Sequence, residues 1–311
     1  MTTAFVSRLP AADARRWCDL LSLALGETVA AASEIVGEHE VRCIDVVVIN
    51  DANPSMLTRF PALRFVQSTW AGVDGLLQAG DFPAVPLARL VDPALAAEMA
   101  ESALGHVMDL HINMPRYRVQ QAQCLWQSHE PCRAADRRVG VLGAGEMGRA
   151  TLALLDAVGF DLACWARSAR FVGGVEVQSG RDGFARVLER SDILVNLLPL
   201  TPETCRILDH AALAMMPHGA MLINLGRGGH LDLAAMTAAL DSGQLSHAVL
   251  DVFEREPLLA NDPLWLRADV TITPHVGAKT DPVSASRIIA RNIARFRRGE
   301  APDGLVGNGG Y

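Results

Sequence analysis

Between Arg138 and Ala150 the chain reads Arg-Val-Gly-Val-Leu-Gly-Ala-Gly-Glu-Met-Gly-Arg-Ala, and no other segment restricts the fold as strongly. Val139, Val141 and Leu142 make a short apolar run that ends in Gly143, Gly145 and Gly148. A helical pattern follows at once, Thr151 to Val158, and Gly159 stops it. Strand, glycine turn and helix in this order suit a dinucleotide pyrophosphate. Gly143 permits the tight turn, Gly145 lets backbone approach the phosphates, and Gly148 allows the helix to pack on the strand. The helix start, with Glu146 and Met147, offers free N–H groups and a partial positive charge to the anion. The glycine spacing alone is a weak signal in a chain with 26 glycines; its strand-to-helix setting gives it weight.

A chain of 311 residues exceeds what one core usually serves, so two domains are expected. The formal net charge of −7 argues against nucleic acid or an anionic membrane as a partner. No uncharged apolar run reaches the roughly 18 residues of a membrane helix. Arg8 and Asp13 fall where a signal peptide would be apolar. The cysteines Cys18, Cys43, Cys124, Cys132, Cys164 and Cys205 are widely spaced, without a Cys-x-x-Cys pair. They are expected to be buried free thiols in a reducing cytoplasm, and no metal site is expected. Lys279 is the only lysine, which excludes a Gly-Lys-Ser/Thr phosphate loop.

Strand-like and helix-like stretches alternate along the chain. Ala4–Val6, Val46–Ile49, Leu63–Val66 and Val85–Ala88 read as strands of a small parallel sheet, and residues 12–25 as a helix. Pro93 opens an Ala-rich helix running to about Met114, where Pro115 interrupts it. After the glycines, Leu162–Trp165, Ile193–Asn196, Met221–Asn224, Ala248–Leu250 and Val270–Ile272 read as strands, with helices between them such as Leu233 to Ser242. A last helix, about Val283 to Arg298, precedes a tail from Gly304 to Tyr311 that is expected to be poorly ordered. The predicted fold is α/β. A doubly wound parallel (Rossmann) nucleotide domain, residues 94–275, is inserted into a smaller flavodoxin-like α/β domain built from residues 1–93 and 276–311.

Ligands of open α/β sheets sit at the carboxyl ends of the strands. Three strand ends in the second half lead into polar motifs: Asn224-Leu225-Gly226-Arg227-Gly228-Gly229, Asp251-Val252-Phe253-Glu254-Arg255-Glu256, and Thr273-Pro274-His275-Val276-Gly277. Singly, these read as a surface arginine, a solvated carboxylate and a capped core histidine. Together they place an arginine, a carboxylate and a histidine on one edge. With the glycine fingerprint, Trp165-Ala166-Arg167-Ser168, Asn196-Leu197-Leu198-Pro199 and the terminal Gly310-Tyr311, they resemble the D-isomer-specific 2-hydroxyacid dehydrogenases. The likeness spans nearly the whole chain and is strongest to the glyoxylate/hydroxypyruvate reductase A subgroup.

Reducing a 2-oxo acid needs a hydride donor, a proton donor for the carbonyl oxygen and a cation for the carboxylate. His275 is the side chain suited to give a proton near neutral pH. Glu256 can orient that imidazole and favour its protonated form. Arg227 has the planar fork that binds a carboxylate and polarises a carbonyl. The resemblance implies the same roles: His275 as acid/base, Glu256 as its partner, Arg227 as substrate-binding and catalytic. It also implies cofactor contacts at Leu198, Pro199, Leu225, Gly226, Arg227, Asp251, His275 and Gly277. In Ser68-Thr69-Trp70-Ala71-Gly72 it implies that Ala71 and Gly72 hold the substrate carboxylate through backbone N–H groups, although an ordinary strand-end turn is the alternative. Two positions depart from the pattern. Asn50 stands where the subgroup often has an aromatic residue, which leaves the substrate side chain open, and Gly226 stands where Ala or Ser is commoner. The other histidines, His106, His111, His129, His210, His218, His230 and His247, read as structural or surface residues.

No acid occurs between Leu162 and Gly174, where an NAD-binding sheet would hold the ribose hydroxyls. Arg167, Ser168 and Arg170 would instead attract a 2′-phosphate, so NADPH is the expected cofactor. The predicted function is NADPH-dependent reduction of small 2-oxo acids such as glyoxylate and hydroxypyruvate, in a homodimer by resemblance. The rivals are a reductase of a bulkier 2-oxo acid, a β-hydroxyacid dehydrogenase, and a non-enzymatic nucleotide-sensing protein of the same fold. The β-hydroxyacid class depends on lysine chemistry that Lys279 alone does not readily supply.

Overall fold

A computed structural model describes residues 2–307, so Gly310 and Tyr311 lie outside the described residues. Two compact units divide the chain: Met1–Ala94 with Thr280–Tyr311, and Leu95–Lys279.

The first unit contains a parallel sheet of β1 (Thr2–Ser7), β2 (Ala30–Ala31), β3 (Ile44–Asn50), β4 (Phe65–Ser68) and β5 (Leu87–Ala88). Their order is β2-β1-β3-β4-β5. All seven residues of β3 are buried, as expected of an apolar parallel strand covered on both faces. The helices Ala11–Leu25 and Pro282–Arg297 pack together in this unit, and Phe296 stacks on Phe65 with ring centroids 4.6 Å apart. Two strands start later than the sequence suggests, because turns consume their first residues. The Leu63 N–H bonds the Phe60 carbonyl, and the Val85 N–H bonds the Pro83 carbonyl. The expectation of a loose tail from Gly304 fails over its described part. The Arg89 N–H donates to Gly304, Leu305 bridges Ala88, and the Val306 N–H donates to Leu87, so these residues use the open edge of β5.

The second unit contains β6 (Arg138–Leu142), β7 (Asp161–Trp165), β8 (Arg170–Val172), β9 (Val175–Gln178), β10 (Ile193–Asn196), β11 (Ala220–Asn224), β12 (Leu245–Leu250) and β13 (Val270–Ile272). Their order is β13-β12-β11-β10-β6-β7-β9-β8, parallel except for the β8–β9 hairpin. The chain winds outward from β6 through β7 and β9, then returns to β10 on the other side of β6. That reversal makes the crevice at the carboxyl end of β6 the expected ligand position. The β8–β9 hairpin was not foreseen; it turns at Gly173 and Gly174, both with positive φ.

Pro115 does not merely break the long helix. Pro93–His111 ends, Asn113 turns left-handed at φ 61°, and a second helix, Met114–Ala122, begins with Pro115 in its first turn. A missing N–H costs nothing there. The expectation of buried thiols also needs correction. All six cysteines are free, but Cys18 and Cys164 alone are buried, their thiols pushed up to about 11 and about 12 chiefly by burial. Cys43, Cys124 and Cys205 are exposed because they fall at a helix end or in turns. No described helix is long and apolar enough to cross a membrane.

Candidate active site

The glycine turn has the geometry its sequence suggests. Gly143 has φ +105°, and its N–H donates to the Trp165 carbonyl at 2.8 Å. A Cβ on Gly143 would lie 2.8 Å from the Leu197 carbonyl oxygen, and one on Gly148 only 1.9 Å from that of Gly143. These two glycines are sterically required. Gly145 is different: it is the N-cap of the helix Glu146–Val158 without a side-chain cap bond, and a Cβ there would meet nothing within 4 Å. The helix start is thus open to an anion, with its N–H groups and positive dipole end available. This cradle fits a dinucleotide pyrophosphate.

Arg167 and Ser168 follow β7 and are exposed. Arg170, on β8, reaches back and donates through Nη2 to the Ala144 carbonyl inside the glycine turn. Leu198 and Pro199 follow β10, and Leu225 and Gly226 follow β11, so both pairs lie at the carboxyl edge.

Asn196 and Asn224 end the neighbouring strands β10 and β11 and are paired in register. Both are wholly buried, as is His230. Asn196 Nδ2 donates to Asn224 Oδ1 and to His230 Nδ1, each at 2.9 Å, and its Oδ1 accepts from the Leu198 N–H at 3.2 Å. Asn224 Nδ2 donates to the Arg227 carbonyl at 3.1 Å, and the Arg227 N–H donates to His230 Nδ1 at 3.1 Å. The Arg227 guanidinium donates to the Gly226 carbonyl at 2.8 Å. A Cβ on Gly226 would lie 3.0 Å from both Asn196 Nδ2 and His230 Nδ1, which gives a physical reason for glycine before this arginine. Gly228 is stricter, because its Cβ would fall 1.9 Å from the Phe253 carbonyl carbon.

Asp251 directly follows β12 and is buried. Its Oδ1 accepts from Thr273 Oγ1 at 2.7 Å and the Val276 N–H at 2.8 Å, and its Oδ2 accepts from the Gly277 N–H at 2.9 Å. One carboxylate therefore shapes the whole loop after β13. With the Lys279 N–H on Glu98, these bonds keep residues up to Lys279 in the second unit. His275, at φ 53°, is held in a left-handed conformation that side chains seldom adopt, its N–H on the Asp251 carbonyl at 2.8 Å. Its ring is turned out, about half exposed, with Nδ1 2.8 Å from Glu256 Oε2. Glu256 is fixed in turn through Oε1, which accepts from the Phe253 N–H at 2.9 Å.

In the first unit, Ala71 and Gly72 lie in the turn between β4 and the short helix Asp74–Gln78. Thr69 anchors this turn. Its N–H donates to the Ile49 carbonyl at 3.0 Å, its hydroxyl accepts from Asn50 Nδ2 at 2.7 Å, and its carbonyl accepts from Thr280 Oγ1 at 3.2 Å. Asn50 is buried, so its amide serves the turn.

The model of the D-isomer specific 2-hydroxyacid dehydrogenase NAD binding domain matches residues 104–277. Glyoxylate/hydroxypyruvate reductase A of Serratia proteamaculans (strain 568) is 40% identical over 257 residues, 81% of this chain and 82% of that protein. The chain belongs to the D-isomer specific 2-hydroxyacid dehydrogenase family. A family enzyme from Xanthobacter autotrophicus Py2, solved in complex with NADPH and MES, superposes with a TM-score of 0.93 at 35% identity, over 98% of each chain. The NADPH-dependent glyoxylate/hydroxypyruvate reductase of Sinorhizobium meliloti, with NADP and sulfate, gives 0.90 at 32% identity over all of both chains.

Three buried polar residues bracing the Arg227 loop were not among the expected site residues. His230 is wholly buried, which fits the structural half of its expected reading, and its ring nitrogen holds the backbone of Arg227. Asn196 and Asn224 carried a readable signal: an amide ends each of two apolar strands that must lie side by side in a doubly wound sheet. His111, His129 and His247 do fit structural roles, against Phe160, Gln120 and Thr271 respectively.

Proposed function

We propose that this chain reduces small 2-oxo acids, glyoxylate and hydroxypyruvate among them, to 2-hydroxy acids with NADPH. The observation that carries the proposal is the Glu256–His275 couple at 2.8 Å, on the strand edge that also bears Arg227 and the glycine turn. Glu256 engages Nδ1, which leaves Nε2 to deliver a proton to a substrate oxygen. The planar Arg227 guanidinium binds the substrate carboxylate and polarises the adjacent carbonyl as negative charge develops. Ala71 and Gly72 add backbone N–H donors for the carboxylate. When bound, NADPH supplies the hydride. Gly143, Gly145, Glu146, Met147 and Gly148 would cradle its pyrophosphate, and Arg167, Ser168 and Arg170 its 2′-phosphate. Leu198, Pro199, Leu225, Gly226 and Gly277 would line the rest of its site. Asp251 acts there by holding the His275–Gly277 backbone.

A homodimer is part of the proposal, supported by the exposed apolar side chains Ile112, Val119, Leu125 and Trp126 along and beyond the helix Met114–Ala122. A cytoplasmic setting is supported by three exposed, unpaired thiols. The test is loss of nicotinamide absorbance with purified protein, NADPH or NADH, and a panel of 2-oxo acids. Turnover of glyoxylate and hydroxypyruvate with NADPH is expected. Turnover confined to bulky acids would replace the substrate, and tight NADPH binding without turnover would favour a nucleotide-sensing protein. Sedimentation velocity should give twice the chain mass, reduced by Trp126→Ser.

A further inference from the structure

Three wholly buried polar side chains form one network around the Arg227 backbone, Asn224 and His230 bonding it directly and Asn196 tying the two together, and their donors and acceptors fix a single arrangement. The Arg227 N–H and Asn196 Nδ2 can only donate. Both point at His230 Nδ1, at 3.1 and 2.9 Å, so that nitrogen accepts twice and carries no proton. The imidazole is therefore neutral, with its proton on Nε2. The orientation of the Asn196 amide is itself determined, because its other atom accepts from the Leu198 N–H, which requires oxygen there. Asn224 is oriented by the same logic, with its oxygen on the Gly226 N–H and its nitrogen on the Arg227 carbonyl. Arg227 is thus held at both its N–H and its C=O, while Gly228 is pressed against Phe253 and Glu254. Asn196 also holds the Leu198 N–H, just past the end of β10.

We propose that His230, in its Nε2–H form, is a positioning residue for Arg227: it fixes the root of the guanidinium relative to the β10–β11 edge. The proposal rests on the reading of Arg227 as the group that binds and polarises the 2-oxo acid. Losing the Nδ1 acceptor leaves two buried donors unsatisfied and frees the arginine backbone, and misplacement of a catalytic group by about 1 Å costs on the order of 100-fold in rate.

The experiment compares parent, His230→Leu and His230→Asn in glyoxylate reduction, with NADPH affinity measured separately by nucleotide fluorescence. Asn keeps an acceptor near the Nδ1 position; Leu keeps bulk alone. For His230→Leu, KM for glyoxylate should rise and kcat fall, lowering kcat/KM by about 100-fold, with NADPH affinity within about two-fold of the parent. His230→Asn should recover at least about ten-fold of that loss. The proposal is overturned if folded His230→Leu keeps both constants within about two-fold of the parent, or if His230→Asn falls as far as His230→Leu. Should His230→Leu fail to fold, 15N NMR of the parent decides: an unprotonated Nδ1 is expected, and a proton there sinks the idea. A parent that fails to reduce glyoxylate would refute the substrate reading and leave the tautomer result intact.

Discussion

At the carboxyl ends of its strands the second unit presents charged side chains, whereas the corresponding end of β4 in the first unit presents a turn of backbone. Arg227, Glu256 and His275 stand on loops after β11, β12 and β13, and each is braced from behind by a buried polar group: His230 and Asn224, the Phe253 N–H, and Asp251. Around Ala71 and Gly72, buried Asn50 and Thr69 brace the turn itself. Both units use a parallel sheet, whose ladder leaves strand-end groups in need of partners. The second unit uses those partners to aim side chains, and the first uses them to hold a stretch of main chain. Chemistry that moves protons or polarises a carbonyl needs side chains of chosen acidity and charge, while backbone N–H groups suffice to add hydrogen bonds to an anion.

The comparison is most open to attack at His275. His275→Ala should lower kcat for glyoxylate reduction by about 10²–10⁴-fold with little change in NADPH affinity, and Arg227→Ala should raise KM and lower kcat together. Near-parental turnover in both variants would mean that these strand ends do not carry the chemistry. The next effect belongs to the loop after β7. Arg167→Asp should weaken NADPH by about 10–100-fold and narrow the preference over NADH, as expected for one charge-assisted contact of roughly 1.5–3 kcal/mol. Unchanged KM values for both cofactors would shift the phosphate contact to Arg170.

In the first unit Asn50→Ala should act on binding alone. Releasing Thr69 loosens the turn by about one hydrogen bond, so KM for glyoxylate should rise by about 3–10-fold with kcat nearly unchanged. A fall in kcat as large as that of Arg227→Ala would erase the distinction between the units. The smallest effect is expected away from the site. Arg267 forks onto Asp269 at 2.7 and 2.8 Å, just before β13, and this bond above all holds the Asp269 carboxyl below its usual range. A lowered folded-state value contributes stability above about pH 4 that disappears as the pH falls through that value. The pair is partly exposed and screened, so Asp269→Asn should cost about 1 kcal/mol at pH 7 and progressively less below pH 4, with unchanged kinetics. Denaturant melts at several pH values check it; a cost that persists in acid would point to packing instead.

Much of this protein was legible in local pattern. The glycine fingerprint, the apolar runs that became β6, β10, β11 and β12, and the arginine, carboxylate and histidine motifs all depend on neighbours within a few residues, and so does the absence of an acid after β7. What failed were features set by distant neighbours. The tail from Gly304 pairs because β5 offers an open edge, and nothing in Gly304 or Leu305 announces that edge. His230 looks ordinary in sequence and becomes part of the site only because β10 and β11 lie side by side and bring Asn196 within 2.9 Å of it. Likewise Asn50, a polar departure at a strand end, gains its role from Thr69, just past the end of the neighbouring strand β4. The sequence by itself determined which groups are chemically suited to the proposed reaction and in what order they occur. Only the tertiary structure decided what holds them still, because hydrogen bonds between strand ends join residues that chain connectivity keeps far apart.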